Sequence, residues 1–63
     1  MKDDFSINAC YNYVEFEVES FGANPFEELG KAIIRAEFDP FFNKRMIEAW
    51  KIYIRDHNLQ AEA

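Results

Sequence analysis

Apolar and acidic residues alternate strictly between positions 13 and 19, where the sequence reads YVEFEVE. Alternation with a period of two is typical of a β-strand that has one buried face and one exposed face. The predicted buried face holds Val14, Phe16 and Val18. The predicted exposed face holds Glu15, Glu17 and Glu19. We therefore predict a half-buried strand here, against which the rest of the chain packs.

The residues before this stretch alternate in the opposite phase, with Ile7, Ala9 and Tyr11 on one face. A shift of one residue turns every side chain to the other side of a sheet, so the pattern predicts an interruption near Asn12. One bulged strand and a short hairpin over about residues 5–20 both account for it. Two strands are marginal on their own in water, so we expect the sheet to pack on helices or to be completed by dimerisation.

Two proline-containing segments predict helix starts in the second half of the chain. Asn24 can cap a helix that begins at Pro25 and runs to about residue 37, and Asp39-Pro40 repeats this pattern before a helix over about residues 40–58. The predicted core stripe of the first helix comprises Phe26, Leu29, Ile33 and Ala36. That of the second helix comprises Phe42, Met46, Ala49, Trp50, Tyr53 and His57. The predicted fold is therefore α+β, with an N-terminal strand or short hairpin followed by two antiparallel α-helices in one small domain, residues 1–63.

Three apolar residues fall on the charged side of the second predicted helix. Phe41, Ile52 and Leu59 lie within about 20° of one another on a helical wheel. Aligned apolar residues on an outer face suggest a second contact surface. This seam is predicted to serve a dimer or another partner, unless Phe41 only covers the corner between the helices and Leu59 belongs to an unstructured tail.

The chain has 63 residues and a single cysteine, Cys10. An intramolecular disulfide is therefore impossible, and Cys10 with His57 cannot complete a four-ligand zinc site. A chain this short needs efficient packing or a partner for stability, so we expect an aromatic-rich core and a homo-oligomer, with a dimer favoured. No cofactor or metal is predicted. The lone cysteine and the absence of long apolar runs predict a cytoplasmic protein without a membrane segment.

The formal net charge is −5, and it is distributed unevenly. Residues 1–30 contain seven acidic residues and one lysine, whereas residues 31–63 contain five acidic residues and six lysines or arginines. Binding to phosphate backbones requires a basic surface. We therefore predict no direct contact with nucleic acid and expect any charged partner to be a protein with a basic surface.

The three glutamates of the predicted strand allow two interpretations. They can simply keep the exposed face of a sheet soluble, or they can offer a negative surface to a basic partner. Alternate residues of a strand lie about 6.6 Å apart, a spacing close to that of phosphates along one DNA strand. A DNA mimic that blocks a nucleic-acid-binding protein is thus one alternative function.

Catalytic side chains are sparse. His57 could activate Cys10 or Ser20 as a nucleophile, but no local motif supports this arrangement, and a histidine near a helix C-terminus is favoured by the helix dipole alone. We therefore predict no enzyme activity. The predicted function is a non-catalytic acidic protein-binding module, a stoichiometric inhibitor or modulator of the kind encoded by phages and mobile elements. A purely structural oligomerising subunit is a further alternative.

Overall fold

The computed structural model describes residues 6–60, which form three α-helices. These are α1 (Ile7–Phe21), α2 (Pro25–Arg35) and α3 (Pro40–Asp56). The part of the chain that the structure describes contains no β-strand. The prediction of an α+β fold is therefore wrong, and the fold is a small all-α arrangement. Position 5, where the predicted strand begins, lies outside the described residues.

The predicted strand or hairpin is helix α1. Cys10 and Val14 are buried, and Tyr11 and Val18 pack against the same core. Residues 10, 14 and 18 are four apart, and residues four apart lie on one face of an α-helix. Val14 and Val18 therefore fit both a strand and a helix, and among the three apolar residues only Phe16 distinguishes the two. Phe16 is 53% exposed, because on a helix this middle residue of the alternation points away from the side that carries Val14 and Val18.

The interruption expected near Asn12 does not occur. Ile7, Tyr11, Val14 and Val18 are separated by four, three and four positions, which is the spacing of one continuous helical stripe. The change of phase in the alternating pattern is what such a stripe looks like when it is read with a period of two. Neither a bulge nor a turn is present, since α1 runs without a break from Ile7 to Phe21.

Both ends of α1 are capped by local residues. The Ser6 hydroxyl accepts a hydrogen bond from the Ala9 N–H at 3.2 Å, which satisfies one of the free amides of the first turn. At the other end, Gly22 has a φ of 70°, a left-handed conformation that glycine adopts without steric penalty. The Gly22 N–H donates to the Val18 carbonyl at 3.0 Å, and the chain then turns into α2.

Helix α2 begins as predicted. The Asn24 side-chain oxygen accepts hydrogen bonds from the N–H groups of Phe26 and Glu27 at 3.0 and 3.3 Å, and Pro25 occupies the first turn. The predicted core stripe is only partly correct. Ala32 is the buried residue and Leu29 packs beside it, whereas Ile33 is 52% exposed. The helix is rotated relative to the prediction, with a small residue against the core.

Helix α3 is the central element, because both α1 and α2 pack against it. Pro40 begins the helix, but Asp39 makes no capping hydrogen bond with its side chain. Instead the buried amide of Asn43 donates to the Asp39 carbonyl at 2.8 Å. The buried side of α3 comprises Asn43, Met46, Ala49, Trp50 and Tyr53. The prediction of an aromatic-rich core is only partly correct, because Trp50 and Tyr53 are the buried aromatic residues among those described, with Trp50 2% exposed.

The end of α3 is also capped. Asn58 has a φ of 53°, which asparagine tolerates better than most residues. The N–H groups of Asn58 and Leu59 donate to the carbonyls of Arg55 and Ile54 at 3.1 and 3.0 Å, the pair of bonds that defines a Schellman motif. Leu59 therefore lies beyond the helix, and the predicted helix to residue 58 is two residues too long.

Candidate protein-binding surface

Three large aromatic side chains lie exposed along α1 and at its end. Tyr13, Phe16 and Phe21 are 52, 53 and 69% exposed. The rings of Phe16 and Phe21 meet edge to face with their centroids 5.3 Å apart, a favoured arrangement for an aromatic pair. Single exposed apolar residues are normal, whereas a cluster of them marks a contact site.

The glutamates of the predicted strand do not form one row. Glu15 and Glu19 are one turn apart on one side of α1, and Glu17 lies on another side, since successive residues rotate by about 100°. On this geometry Glu17 and Glu19 flank Tyr13 and Phe16 from opposite edges. We call Tyr13, Phe16, Phe21, Glu17 and Glu19 the α1 strip.

The tyrosine pKa values report the same separation of the glutamates. Partial burial and then the charge of Glu17, which also accepts a hydrogen bond, raise the pKa of Tyr13 above its usual value of 10.0. Burial and then the charges of Glu19 and Glu15 raise the pKa of Tyr53. Each glutamate therefore acts on the tyrosine of its own side, and the strip carries negative charge at both edges.

The predicted seam of Phe41, Ile52 and Leu59 is only partly assembled. Phe41 is 64% exposed on α3, whereas Leu59 is 37% exposed and lies after the helix. Ile52 is partly buried. Their role in a dimer or partner contact stays a prediction, as does the partner-binding role of Glu15, Glu17 and Glu19.

Phe41 belongs instead to an open groove of about 710 Å³ between α3 and the start of α1. We call it the α3 groove; it is lined by Ile7, Phe41, Lys44, Arg45, Ile47, Glu48 and Lys51. The guanidinium carbon of Arg45 lies 4.7 Å from the centre of the Phe41 ring, a cation–π contact. The described residues of the groove thus combine apolar side chains with three cations and one carboxylate, which sum to +2 in a chain whose net charge is −5.

A second cavity of about 290 Å³ lies where the three helices meet. Small residues of α1 and α2, Ala9 and Ala32, leave this space, and Trp50 and Met46 of α3 also line it. The buried side chain of Cys10, which forms no disulfide, lies at the same place. The lining is mostly apolar, and Glu28 and Arg35 provide its charged groups.

His57 lies at the end of α3, where its ring stacks on Tyr53. The two ring centroids are 4.0 Å apart with 25° between the planes, and His57 Nδ1 lies 3.1 Å from the Tyr53 carbonyl oxygen. The tautomer with a proton on Nδ1 donates a hydrogen bond there. These contacts hold the ring against its own helix.

The described residues place no group of three or more histidine, cysteine, aspartate or glutamate side chains where they could hold a metal ion. Between residues 6 and 60, no helix combines the length and apolar composition that crossing a bilayer requires. No protein-family model, curated protein or solved structure matches this chain. The geometry of the surface is therefore the basis for assigning a function.

The sequence prediction missed Tyr13, Phe16 and Phe21 as surface residues, because it placed Phe16 in the core. Two sequence signals could have found them. Tyr13 and Phe16 are three apart, the spacing of neighbours on a helix face, and they lie outside the stripe formed by Cys10, Val14 and Val18. In addition, no lysine or arginine occurs between Ile7 and Phe21.

Proposed function

We propose that this chain is a non-catalytic protein-binding module, a stoichiometric inhibitor or modulator that docks through the α1 strip on a partner protein. The partner site would be an apolar pocket with lysine or arginine at its rim. The observation that carries the proposal is the exposure of Tyr13 and Phe16 between flanking glutamates, with the exposed ring of Phe21 against Phe16. The proposed setting is the cytoplasm, where the environment keeps the Cys10 thiol reduced.

Aromatic side chains are suited to this role. Tyrosine and other aromatic residues are enriched at the energetic centres of protein interfaces, because they bury a large area with few rotatable bonds. The edge-to-face contact of Phe16 with Phe21 restrains both rings before any partner binds. Less conformational entropy is then lost on association.

The charge of α1 supports a basic partner. The helix carries Glu15, Glu17 and Glu19 and no basic residue, a net charge of −3. Carboxylates around an apolar centre increase association rates with a positively charged partner and disfavour acidic ones. The glutamates are thus proposed to select the partner, while the aromatic rings supply most of the binding energy.

The alternative of a DNA mimic is not supported by this geometry. It depended on the regular spacing of glutamates along a strand, and on α1 Glu17 is separated from Glu15 and Glu19 by the turn of the helix. The alternative of self-association has support of its own in the α3 groove.

The proposed function is tested by capturing the partner from a lysate of the source cells and measuring its affinity after purification. We expect Phe16→Ser to weaken binding at least about tenfold, as is typical for a central interface residue. Changing Glu15, Glu17 and Glu19 to Gln should weaken binding at low salt and reduce its salt dependence.

The matched control is Ile34→Ser. Ile34 is 65% exposed on α2, outside the α1 strip, and its change is expected to leave the affinity unaltered. Circular dichroism establishes that each variant is folded. Equal affinities for the wild type and the Phe16 variant would rule out the α1 strip as the docking surface.

A further inference from the structure

We propose that the α3 groove of one molecule receives the α1 strip of a second copy of this chain. The groove and the strip are similar in length and opposite in charge. The inference rests on the proposed function, because both use the α1 strip as a binding surface. It adds the α3 groove of a second copy as the surface that covers the strip when no other protein is bound.

The α3 groove has the length and the lining to hold a helix. Its α3 residues extend from Phe41 to Lys51, about 15 Å along the helix axis at 1.5 Å per residue. The span from Tyr13 to Phe21 is about 12 Å on the same basis. Apolar contacts would be offered by Ile7, Phe41 and Ile47, which is the composition of grooves that bind one face of an amphipathic helix.

The charges of the two surfaces are opposite. Helix α1 has a net charge of −3, and α3 has four basic and two acidic residues, a net charge of +2. Among the described residues that line the groove, Lys44, Arg45 and Lys51 outnumber Glu48. Docking the strip would place Glu17 and Glu19 near these cations, while docking of two like-charged surfaces would be repulsive.

The strip cannot reach the groove of its own molecule. Cys10 and Val14 hold one side of α1 in the core against α3. Phe16 lies on the opposite side of α1, and Tyr13 lines the separate cavity between the three helices. The contact must therefore form between copies. It joins two different surfaces, and it closes into a dimer if both contacts form reciprocally or continues into a chain if they do not.

Sedimentation velocity of the purified chain tests this inference. Two charge-reversed variants are needed. The first carries Glu17→Lys and Glu19→Lys in the strip, and the second carries Lys44→Glu and Lys51→Glu in the groove. We expect the wild type to self-associate at low salt and to associate about tenfold more weakly at about 0.5 M salt, because screening shortens the reach of charges.

Each variant alone is expected to be a folded monomer, since its strip and groove then carry the same sign of charge. An equimolar mixture is expected to associate again, because every strip then finds a groove of opposite sign. A role of these residues in folding would not produce this rescue. The control variant, Glu27→Lys with Glu37→Lys, makes the same change in net charge outside the strip and the groove, and it should associate at least as well as the wild type.

A wild type that stays monomeric at millimolar concentration would overturn the inference and assign the groove to another occupant. A mixture that stays monomeric, with both variants folded by circular dichroism, would overturn it as well. Neither result affects capture of a different protein by the wild type and its loss with Phe16→Ser, so the proposed function can stand or fail separately.

Discussion

At the scale of single residues, the fold turns on the difference between Val14 and Phe16. In a strand both would face the core, whereas on α1 Val14 is fully buried and Phe16 is 53% exposed. Two residues that are two positions apart point to nearly opposite sides of a helix. A pair of truncations at these positions therefore distinguishes the two folds.

We predict that Val14→Ala lowers the free energy of unfolding by about 2 kcal/mol, through reduced burial and the cavity that remains. Phe16→Ala should lower it by less than about 1 kcal/mol, since this change removes only the exposed ring that pairs with Phe21. Urea denaturation followed by circular dichroism measures both. A larger decrease for Phe16 than for Val14 would contradict the placement of α1.

We expect the ionisation of Tyr53 to make the free energy of unfolding depend on pH in the alkaline range. Its side chain is 5% exposed, and burial, with added effects of Glu19 and Glu15, raises its pKa above 10.0. Between the unfolded value and the raised folded value, the unfolded chain loses this proton first. The stabilisation is therefore complete below about pH 10 and is lost as the pH rises through the folded pKa.

We predict that the free energy of unfolding falls as the pH rises above about 10, and that Tyr53→Phe makes this fall less steep. Urea denaturation at several pH values tests the prediction, with the slope against pH as the measured quantity. Tyr13→Phe is the control, because Tyr13 is half exposed and should account for less of the slope. A slope unchanged by Tyr53→Phe would show that Tyr53 ionises equally in both states.

At the scale of elements, the two glycines have opposite roles. Gly22 ends α1 in a left-handed conformation, with a φ of 70°, whereas Gly30 lies inside α2 with no φ in that region. A Cβ at either position would meet no atom within 4 Å. The effect of adding one is therefore set by the backbone conformation.

We predict that Gly22→Ala destabilises the fold by about 1 kcal/mol, because a side chain disfavours the left-handed region. Gly30→Ala should stabilise it by about 0.5 to 1 kcal/mol, because alanine is the better residue inside a helix. Thermal unfolding of the two variants gives the signs directly. Destabilisation by both would mean that Gly30 needs its space for a contact.

At the scale of the whole molecule, charge and apolar surface are distributed by helix. Helix α1 is acidic and exposes aromatic rings, and α3 is basic and carries an apolar groove. Both helices also contribute one side to the core. A 63-residue chain buries a small fraction of its surface on folding, so apolar residues left outside the core keep its free energy of unfolding low. This distribution is what the proposed partner docking and self-association would exploit.

Local signals in the sequence predicted helices α2 and α3 and much of the buried stripe of α3. Asn24-Pro25 and Pro40 specify helix starts through the geometry of a few neighbouring residues, and the stripe of Met46, Trp50 and Tyr53 has only one consistent period. The acidic character of residues 13–19 is likewise a property of composition. None of these depends on distant parts of the chain.

Only the tertiary structure decided between strand and helix for residues 7–21, because Val14 and Val18 satisfy both periods. Packing of α1 on α3 buries those residues with Cys10 and leaves Phe16 outside, whereas an isolated two-stranded ribbon would have no comparable partner. The surface followed from that choice. A strand would align the three glutamates, whereas the helix places them on different sides. The side chains of Tyr13 and Phe16 then lie exposed between Glu17 and Glu19.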